Sequence, residues 1–453
     1  MRYAPSTTEE QEAMLRAIGV KRFEDLLQGV PEHLRMSAPI EIPEGLPEME
    51  SRRLVKRLAS NSRGAADLTC FAGAGVYDHF IPSAVDPLVS RSEFTTAYTP
   101  YQSEVSQGTL QVIYEFQSLI AELMGMDVAN ASLYDGAHSL AEAMLLAHDI
   151  RKSPRMLVSD GINPYHRRVL ETYAAGMDIE LVYIPLGADG RTDTDALNKA
   201  LKEPAAAFLF AQPNFSGCIE EAPALASLVR GADEKKPPLM IVSVYPTSLG
   251  LLAPPGQWGA DVAVAEGQSL GLPMSLGGPF LGLFAAKQEY IRRMPGRLIG
   301  RTVDRDGRLS YVLTLQTREQ HIRRAKATSN ICTNQGLFAL WATVYMTLIG
   351  PEGLREVASS SAAKAHYLAG ELTRIDGVDL TFPDTPFFNE FNLSLKSDPA
   401  AVLDRLVERG YLGGVNLTRF EVAYPGQLLV AVTERRTREQ LDAFIDAFQE
   451  AAA

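Results

Sequence analysis

The chain has 453 residues, 43 of them Lys or Arg and 55 Asp or Glu, for a formal net charge of −12. An acidic surface does not attract nucleic acid or anionic membranes, so neither is expected as a partner. With 46% hydrophobic residues, 22% charged residues, 35 Gly and 27 Pro, the composition excludes disordered, fibrous and low-complexity classes and leaves room for roughly two or three domains of about 150 residues.

Residues 1–64 read as an N-terminal helical arm. Ser6 with Glu9 has the spacing of a capping box, Met14, Leu15 and Ile18 recur at helical intervals, and Gly19 suits a helix stop. The opening text, MRYAPSTTEEQEAML, turns acidic where a signal peptide would be apolar, and no run of about 18 apolar residues follows, so the expected address is the cytoplasm. Three widely spaced cysteines, Cys70, Cys218 and Cys332, form neither a disulfide framework nor a metal-ligand spacing, which suits a reducing compartment. A Pro-rich stretch, SAPIEIPEGLPEMESRR, leads to a second short helical pattern. From 65 to 325, helical segments alternate with short apolar runs, among them RMLVSD, IELVYIPL, AAFLFAQPN, PLMIVSVYP, ADVAVAEG and FLGLFAAK. That alternation predicts a large α/β domain around a mainly parallel, doubly covered sheet. From 326 to 453, long amphipathic helices (NQGLFALWATVYMTLIG and REVASSSAAKAHYLAGELTRI) are interleaved with FNEFNLSL and QLLVAVTE, which predicts a smaller C-terminal α+β domain. Its last helix is capped by Thr437 with Gln440.

Several chemistries are absent at the level of motif. The chain has no GxxxxGK[ST], HExxH or CxxC, and Gly73-Ala74-Gly75 lacks both the third glycine and the following helix of a dinucleotide fingerprint. One constellation survives. Asp135-Gly136-Ala137-His138-Ser139 stands directly before a strong helix, which makes either a simple cap or an anion site for a phosphate or carboxylate. Further loops follow the strands: VSDGINPYHRRVL, Gln212-Pro213-Asn214-Phe215-Ser216-Gly217, and Ser243-Val244-Tyr245-Pro246-Thr247. In an open α/β sheet such loops meet in one crevice beyond the strand ends.

Their order resembles pyridoxal-phosphate enzymes of the aspartate-aminotransferase type, fold type I. The resemblance implies loops that hold the cofactor phosphate, stack on its ring and pair with its pyridine nitrogen, and a lysine after the ADVAVAEG strand that forms a Schiff base. No lysine occurs from Gln268 to Pro279, Tyr245 is no carboxylate for a pyridinium nitrogen, and Lys287 follows the next strand at its wrong end. Such a chain has lost its own cofactor or lends surface to a partner.

The resemblance then narrows. AGAGVYDHFIP at 72–82, EFTTAYTPYQSEVSQGTLQVIYEFQSLIAELMGMDVANASLYDG at 93–136, QPNFSGCIE at 212–220, GADVAVAEGQSLGLPMSLGGPFLG at 259–282 and LQTREQHIRRAKATSNICTNQ at 315–335 closely resemble the P-protein family of the glycine cleavage system. The similarity is to subunit 1 of its two-subunit form, glycine dehydrogenase (decarboxylating), and spans essentially the whole chain. It implies a homologous subunit 2 that bears the pyridoxal phosphate on a lysine, with this chain's lysine slot near Gln268 and no catalytic or cofactor-binding residue of its own. It also implies glycine as substrate and transfer of the aminomethyl group to the lipoylated H-protein. Two positions depart from the family pattern, Asn163 where a His is usual and His138 where a Thr is usual. The candidates for an active-site wall are Tyr98, Thr99, Pro100, Tyr101 and Gln102 in one loop, and Arg324, Lys326, Asn330 and Cys332 in another. In the first, Tyr98 and Tyr101 would donate hydrogen bonds and Gln102 would fix the loop; plain packing is the competing reading. In the second, Arg318, Arg323, Arg324 and Lys326 form either a solvated face or a channel wall that attracts anions. His321 is expected at the surface or in the core, and burial is the simpler expectation for Cys332. Two alternatives stay open, a self-sufficient pyridoxal enzyme using Lys287 or Lys326 and a non-catalytic scaffold.

Overall fold

A computed structural model describes residues 5–35, 42–64, 66–95, 97–233, 235–327, 329–420 and 427–453, in two units, Met1–Arg63 and Gly64–Ala453. The first unit holds helices α1 (Thr8–Ile18) and α2 (Glu48–Ala59), and neither has a buried residue. The capping box of α1 lies one residue later than the Ser6–Glu9 spacing suggests. Thr7 has the extended backbone of an N-cap, its hydroxyl accepts the Glu10 N–H, and the Glu10 carboxylate accepts the Thr7 N–H. Gly19, at φ 87°, closes the helix in the left-handed region. Residues 37–41 of the Pro-rich stretch lie outside the described residues.

The second unit is built on a seven-stranded sheet. Its strands are β1 (Val128–Ala129), β2 (Arg155–Ser159), β3 (Glu180–Ile184), β4 (Ala207–Gln212), β5 (Leu239–Val244), β6 (Val262–Glu266) and β7 (Gly282–Ala286), in the spatial order β1-β7-β6-β5-β4-β2-β3. All pairings are parallel except those of β7, which runs antiparallel to β1 and β6. The central strands carry no polar alternation because both faces are covered: every residue of β4 is buried. One face packs on α3 (Gln107–Met124), whose stripe of Leu110, Ile113, Phe116, Ile120 and Met124 is buried. The other face packs on α4 (Gly136–Arg151) and α5 (Pro164–Ala175), through Leu140, Met144 and Leu170. Each fully buried Leu, Met or Phe here contributes about 1.5 to 3 kcal/mol of transfer free energy. A hairpin of β8 (Leu298–Val303) and β9 (Leu309–Thr314) follows.

Helix α6 (Gly336–Leu372) is broken at Gly350 (φ 61°, ψ −176°) ahead of Pro351, so it runs as two helices. It is long and apolar enough to cross a membrane by length and composition, yet Ala339, Leu340, Ala342 and Tyr345 pack into the core under the sheet. A four-stranded antiparallel sheet ends the chain: β10 (Val378–Leu380), β11 (Glu390–Leu395), β12 (Val415–Asn416) and β13 (Gln427–Ala431), in the order β10-β11-β13-β12. Helices α7 (Pro399–Glu408) and α8 (Arg438–Ala452) cover it through Val402, Leu406, Leu441, Phe444 and Phe448. The Thr437–Gln440 capping box starts α8 as the spacing predicts.

Candidate functional site

The loops beyond β2, β4 and β5 and the last residue of β6 meet in one pocket, closed on its far side by Gly75, Tyr77 and Glu390. Three features leave it nearly filled. The Tyr77 and Tyr245 rings, both in its lining, have centres 4.4 Å apart. Glu390, at the start of β11, accepts hydrogen bonds from the Ala74 N–H (2.6 Å) and the Tyr77 hydroxyl (2.9 Å). The Tyr245 hydroxyl is bonded to His79 Nε2, and His79 Nδ1 lies 2.7 Å from a Glu434 carboxylate oxygen. What remains is a cavity of about 70 Å³, whereas pockets for cofactor-sized ligands run to roughly 300–1,000 Å³.

The polar groups in this pocket and next to it are turned on one another. Gln268 is 1% exposed; its Oε1 accepts the Tyr77 N–H (3.0 Å), and its Nε2 donates to the carbonyls of Tyr77 (3.1 Å) and Leu272 (2.9 Å). At the N-terminus of α4, the Asp135 carboxylate caps the His138 N–H, and the Gly136 N–H is bonded to the Glu266 carboxylate at 3.0 Å. An internal carboxylate therefore takes the place where an anion could sit. Burial pushes the Glu266 carboxyl up to about 8 and the Glu390 carboxyl up to about 7. Burial also raises the Tyr77 and Tyr245 hydroxyls well above the ordinary tyrosine value. It would raise Glu434 likewise, but the hydrogen bond from His79 and that ring's charge hold Glu434 below its usual value. Asn163 caps α5 at the Tyr165 N–H and donates to the Ala74 carbonyl.

A second, larger opening lies elsewhere in the same unit. This cleft of about 480 Å³ runs between the loop around Tyr98 and Pro100, the first turns of α3, and residues 333–337. Phe94, Val112, Ile113 and Leu340 give it an apolar wall. Tyr98 is 90% exposed, while Pro100 is buried. Tyr101 is 55% exposed and its hydroxyl accepts from Arg297 Nη2 at 3.3 Å. Among the described residues Thr99, Tyr101, Gln102, Arg324, Lys326, Asn330 and Cys332 do not line the cleft. Thr99 turns the loop by accepting the Tyr101 N–H, and Gln102 leads into a short 3-10 turn at Ser103–Val105.

Two expectations for the 318–332 segment are corrected. Cys332 is exposed, not buried, because only its backbone is used: its N–H donates to the Tyr134 hydroxyl and its carbonyl accepts from Arg297. Arg318 is 8% exposed and not part of a solvated face, since it donates to the Met294, Gly296 and Leu315 carbonyls. Arg323, Arg324, Lys326, Asn330 and His321 are exposed. The hub that gathers Tyr101, Cys332, Thr333 and Asn334 is Arg297, a residue that sequence reasoning passes over because it sits inconspicuously in RRMPGRLIGR. Glu390 and Glu434 are missed likewise; the only signal for Glu390 is a charge inside a strand otherwise read as core.

Comparison with known proteins places this architecture. The family profile of the glycine cleavage system P-protein matches residues 1–448. The probable glycine dehydrogenase (decarboxylating) subunit 1 of Moorella thermoacetica is 50% identical over 452 residues, 99% of each chain. That of Chlorobium chlorochromatii is 47% identical over 449 residues, again 99% of each. Among solved structures, an inhibitor-bound glycine decarboxylase (P-protein) of the glycine cleavage system superposes with a TM-score of 0.88 at 44% identity, covering 100% of both chains. A Lactobacillus brevis glutamate decarboxylase, at 16% identity and a TM-score of 0.68 over 93% of this chain and 95% of its own, shares the fold.

Proposed function

The chain belongs to the glycine cleavage system P-protein family, and from that premise we propose how it divides the work of glycine dehydrogenase (decarboxylating) with a partner subunit. In this reading the homologous subunit 2 carries the pyridoxal phosphate on its lysine. The pair decarboxylates glycine and passes the aminomethyl group to the lipoyl arm of the H-protein. This chain supplies the facing wall of the shared site, and a cytoplasmic address belongs to the same proposal, in keeping with three free cysteines.

The observation that carries the division is the filled pocket. A cavity of about 70 Å³ is too small for an aromatic ring with its phosphate. Gln268, in the lysine slot, is engaged with Tyr77 and Leu272, and the α4 N-terminus is engaged with Glu266. These residues do not fit a pyridoxal phosphate, and in this chain no step runs through one. The self-sufficient alternative draws no support from its lysines: Lys287 is paired with Asp261 beyond β7, and Lys326 lies exposed in a 3-10 turn.

The contribution of this chain's own residues lies at the larger cleft. Tyr98 in the cleft lining and Tyr101, three residues on in the same loop and outside that lining, present hydroxyl groups that can donate to a substrate carboxylate, and the apolar wall keeps water from the reacting atoms once a partner covers the opening. An aromatic ring as exposed as Tyr98 is what a partner surface would cover. The test mixes the two purified subunits. They should co-elute as a stable complex burying more than about 2,000 Å², the range of permanent assemblies. Glycine decarboxylation should require both, and borohydride should trap the cofactor on subunit 2 alone. Tyr101→Phe should lower turnover about ten- to a hundredfold, the equivalent of about 1.5 to 3 kcal/mol, with complex formation and cofactor content unchanged. Normal turnover in both Tyr101→Phe and Tyr98→Phe would remove this loop from the site.

A further inference from the structure

We propose that Arg297 is a positioning residue for the reaction, a buried fork that fixes the Tyr101 hydroxyl against the 332–334 segment. The inference rests on the reading that the 98–102 loop reaches the shared site. Arg297 is 4% exposed and lies just before β8. Its Nη1 donates to Thr333 Oγ1 (3.3 Å) and Asn334 Oδ1 (3.1 Å); its Nη2 donates to the Tyr101 hydroxyl oxygen (3.3 Å) and the Cys332 carbonyl (3.0 Å). The guanidinium carbon also lies 5.5 Å from the centre of the Tyr101 ring, near the outer limit of a cation–π contact. One planar group thus ties together two segments that are far apart in sequence and that both rim the cleft. Only arginine offers donors in that fixed fan; lysine has a single nitrogen on a flexible stem.

The arrangement favours position over stability. Arg297 Nε and Glu319 Oε1 are both buried without a hydrogen-bond partner, and Nε stops 3.8 Å from the other Glu319 oxygen. A buried ion pair optimised for stability would close that gap, because half-satisfied buried charges are costly. Instead the guanidinium is turned to serve its four acceptors. The His321 ring also lies against Tyr101, edge-on at 5.7 Å. A mobile phenol on an exposed loop would lose orientation in each catalytic cycle, and a fixed one does not.

The test uses the assembled complex with subunit 2 and H-protein, and reads kcat and KM for glycine in Arg297→Lys, Tyr101→Phe and the double variant. Arg297→Lys should lower kcat about tenfold with KM within about twofold of normal, and cofactor absorbance and complex size unchanged. Because the effect acts through Tyr101, the double variant should be no worse than the poorer single variant, within about twofold. Thr333→Val, which leaves the arginine in place and loosens one tine of the fork, should give a smaller fall in kcat, about threefold, that also vanishes in the Tyr101→Phe background; it carries the test if Arg297→Lys does not fold. Impaired Tyr101→Phe with multiplicative losses, or with normal Arg297→Lys, overturns the inference and leaves the shared-site reading standing. Normal turnover in Tyr101→Phe overturns both.

Discussion

Placing a lysine at position 268, near where the family resemblance implies one, tests whether the pocket is merely short of one residue or closed by many. In Gln268→Lys the Tyr77 N–H loses its acceptor, because an ammonium group accepts nothing. An orphaned buried donor costs about 1 to 3 kcal/mol, and a charge at a position 1% exposed adds a desolvation penalty of several kcal/mol, only partly offset by the Tyr77 and Leu272 carbonyls. The net loss is about 3 to 5 kcal/mol, which lowers the melting temperature of a unit this large by about 5 °C. Gln268→Met, which removes all three hydrogen bonds without adding charge, should cost about 3 kcal/mol. The assays are scanning calorimetry of the isolated chain and its absorption spectrum with added pyridoxal phosphate, followed by borohydride reduction and mass spectrometry. We expect a destabilised Gln268→Lys chain with no stoichiometric adduct at residue 268. A variant as stable as the parent that traps one cofactor per chain there would refute the reasoning, since the 70 Å³ cavity would then be only a collapsed form of a working site.

Glu142, 2% exposed on α4 with Oε1 unpartnered, has its carboxyl pushed by burial from 4.5 up to about 7. Between those values the folded chain keeps a proton that the unfolded chain has lost, so stability falls as pH rises from about 4.5 to about 7 and then levels. Glu142→Gln escapes that loss and should be ahead by of order 1 to 3 kcal/mol at pH 8, with the gap closing by pH 4.5; parallel melting curves across pH would sink the assignment. Gly217 has φ +84° and a Cβ there would meet the Glu390 carbonyl oxygen at 2.3 Å, so Gly217→Ala should cost more than about 3 kcal/mol or prevent soluble expression. An Ala variant that melts with the parent would mean that the loop and β11 part easily.

Much of the architecture can be read from the sequence because its signals are long. Runs such as AAFLFA and LMIV carry no polar alternation because the strand is covered on both faces, and the Thr437–Gln440 spacing marks a helix start that the structure reproduces. The cap of α1 slips by one residue because Ser6 and Thr7 have equal chemistry, and only the backbone decides which of them is extended. The site is less legible. That Gln268 stands near where the family resemblance implies a lysine can be read from the text, but that its amide binds Tyr77 cannot, since the two residues are 191 apart. The burial of Arg318 and the exposure of Cys332 run against composition for the same reason. The first depends on the carbonyls that a distant turn at Met294 and Gly296 presents, the second on backbone bonds to Tyr134 and Arg297, and no periodicity records either. Arg297 gains its meaning only when residues 101 and 332–334 come to it.

The filled pocket also changes what the chain's stability depends on. An enzyme that folds around its cofactor is stabilised by mass action, about 2.7 kcal/mol when free cofactor stands at a hundred times its dissociation constant, and forfeits that margin when supply falls. Here Tyr77, Tyr245, Glu390 and Gln268 provide from within what a ligand would provide from outside. On the proposed division of labour, a cofactor shortage weakens only the partner. This chain then persists at full abundance as a folded template, and the level of active complex follows the loading of subunit 2 alone.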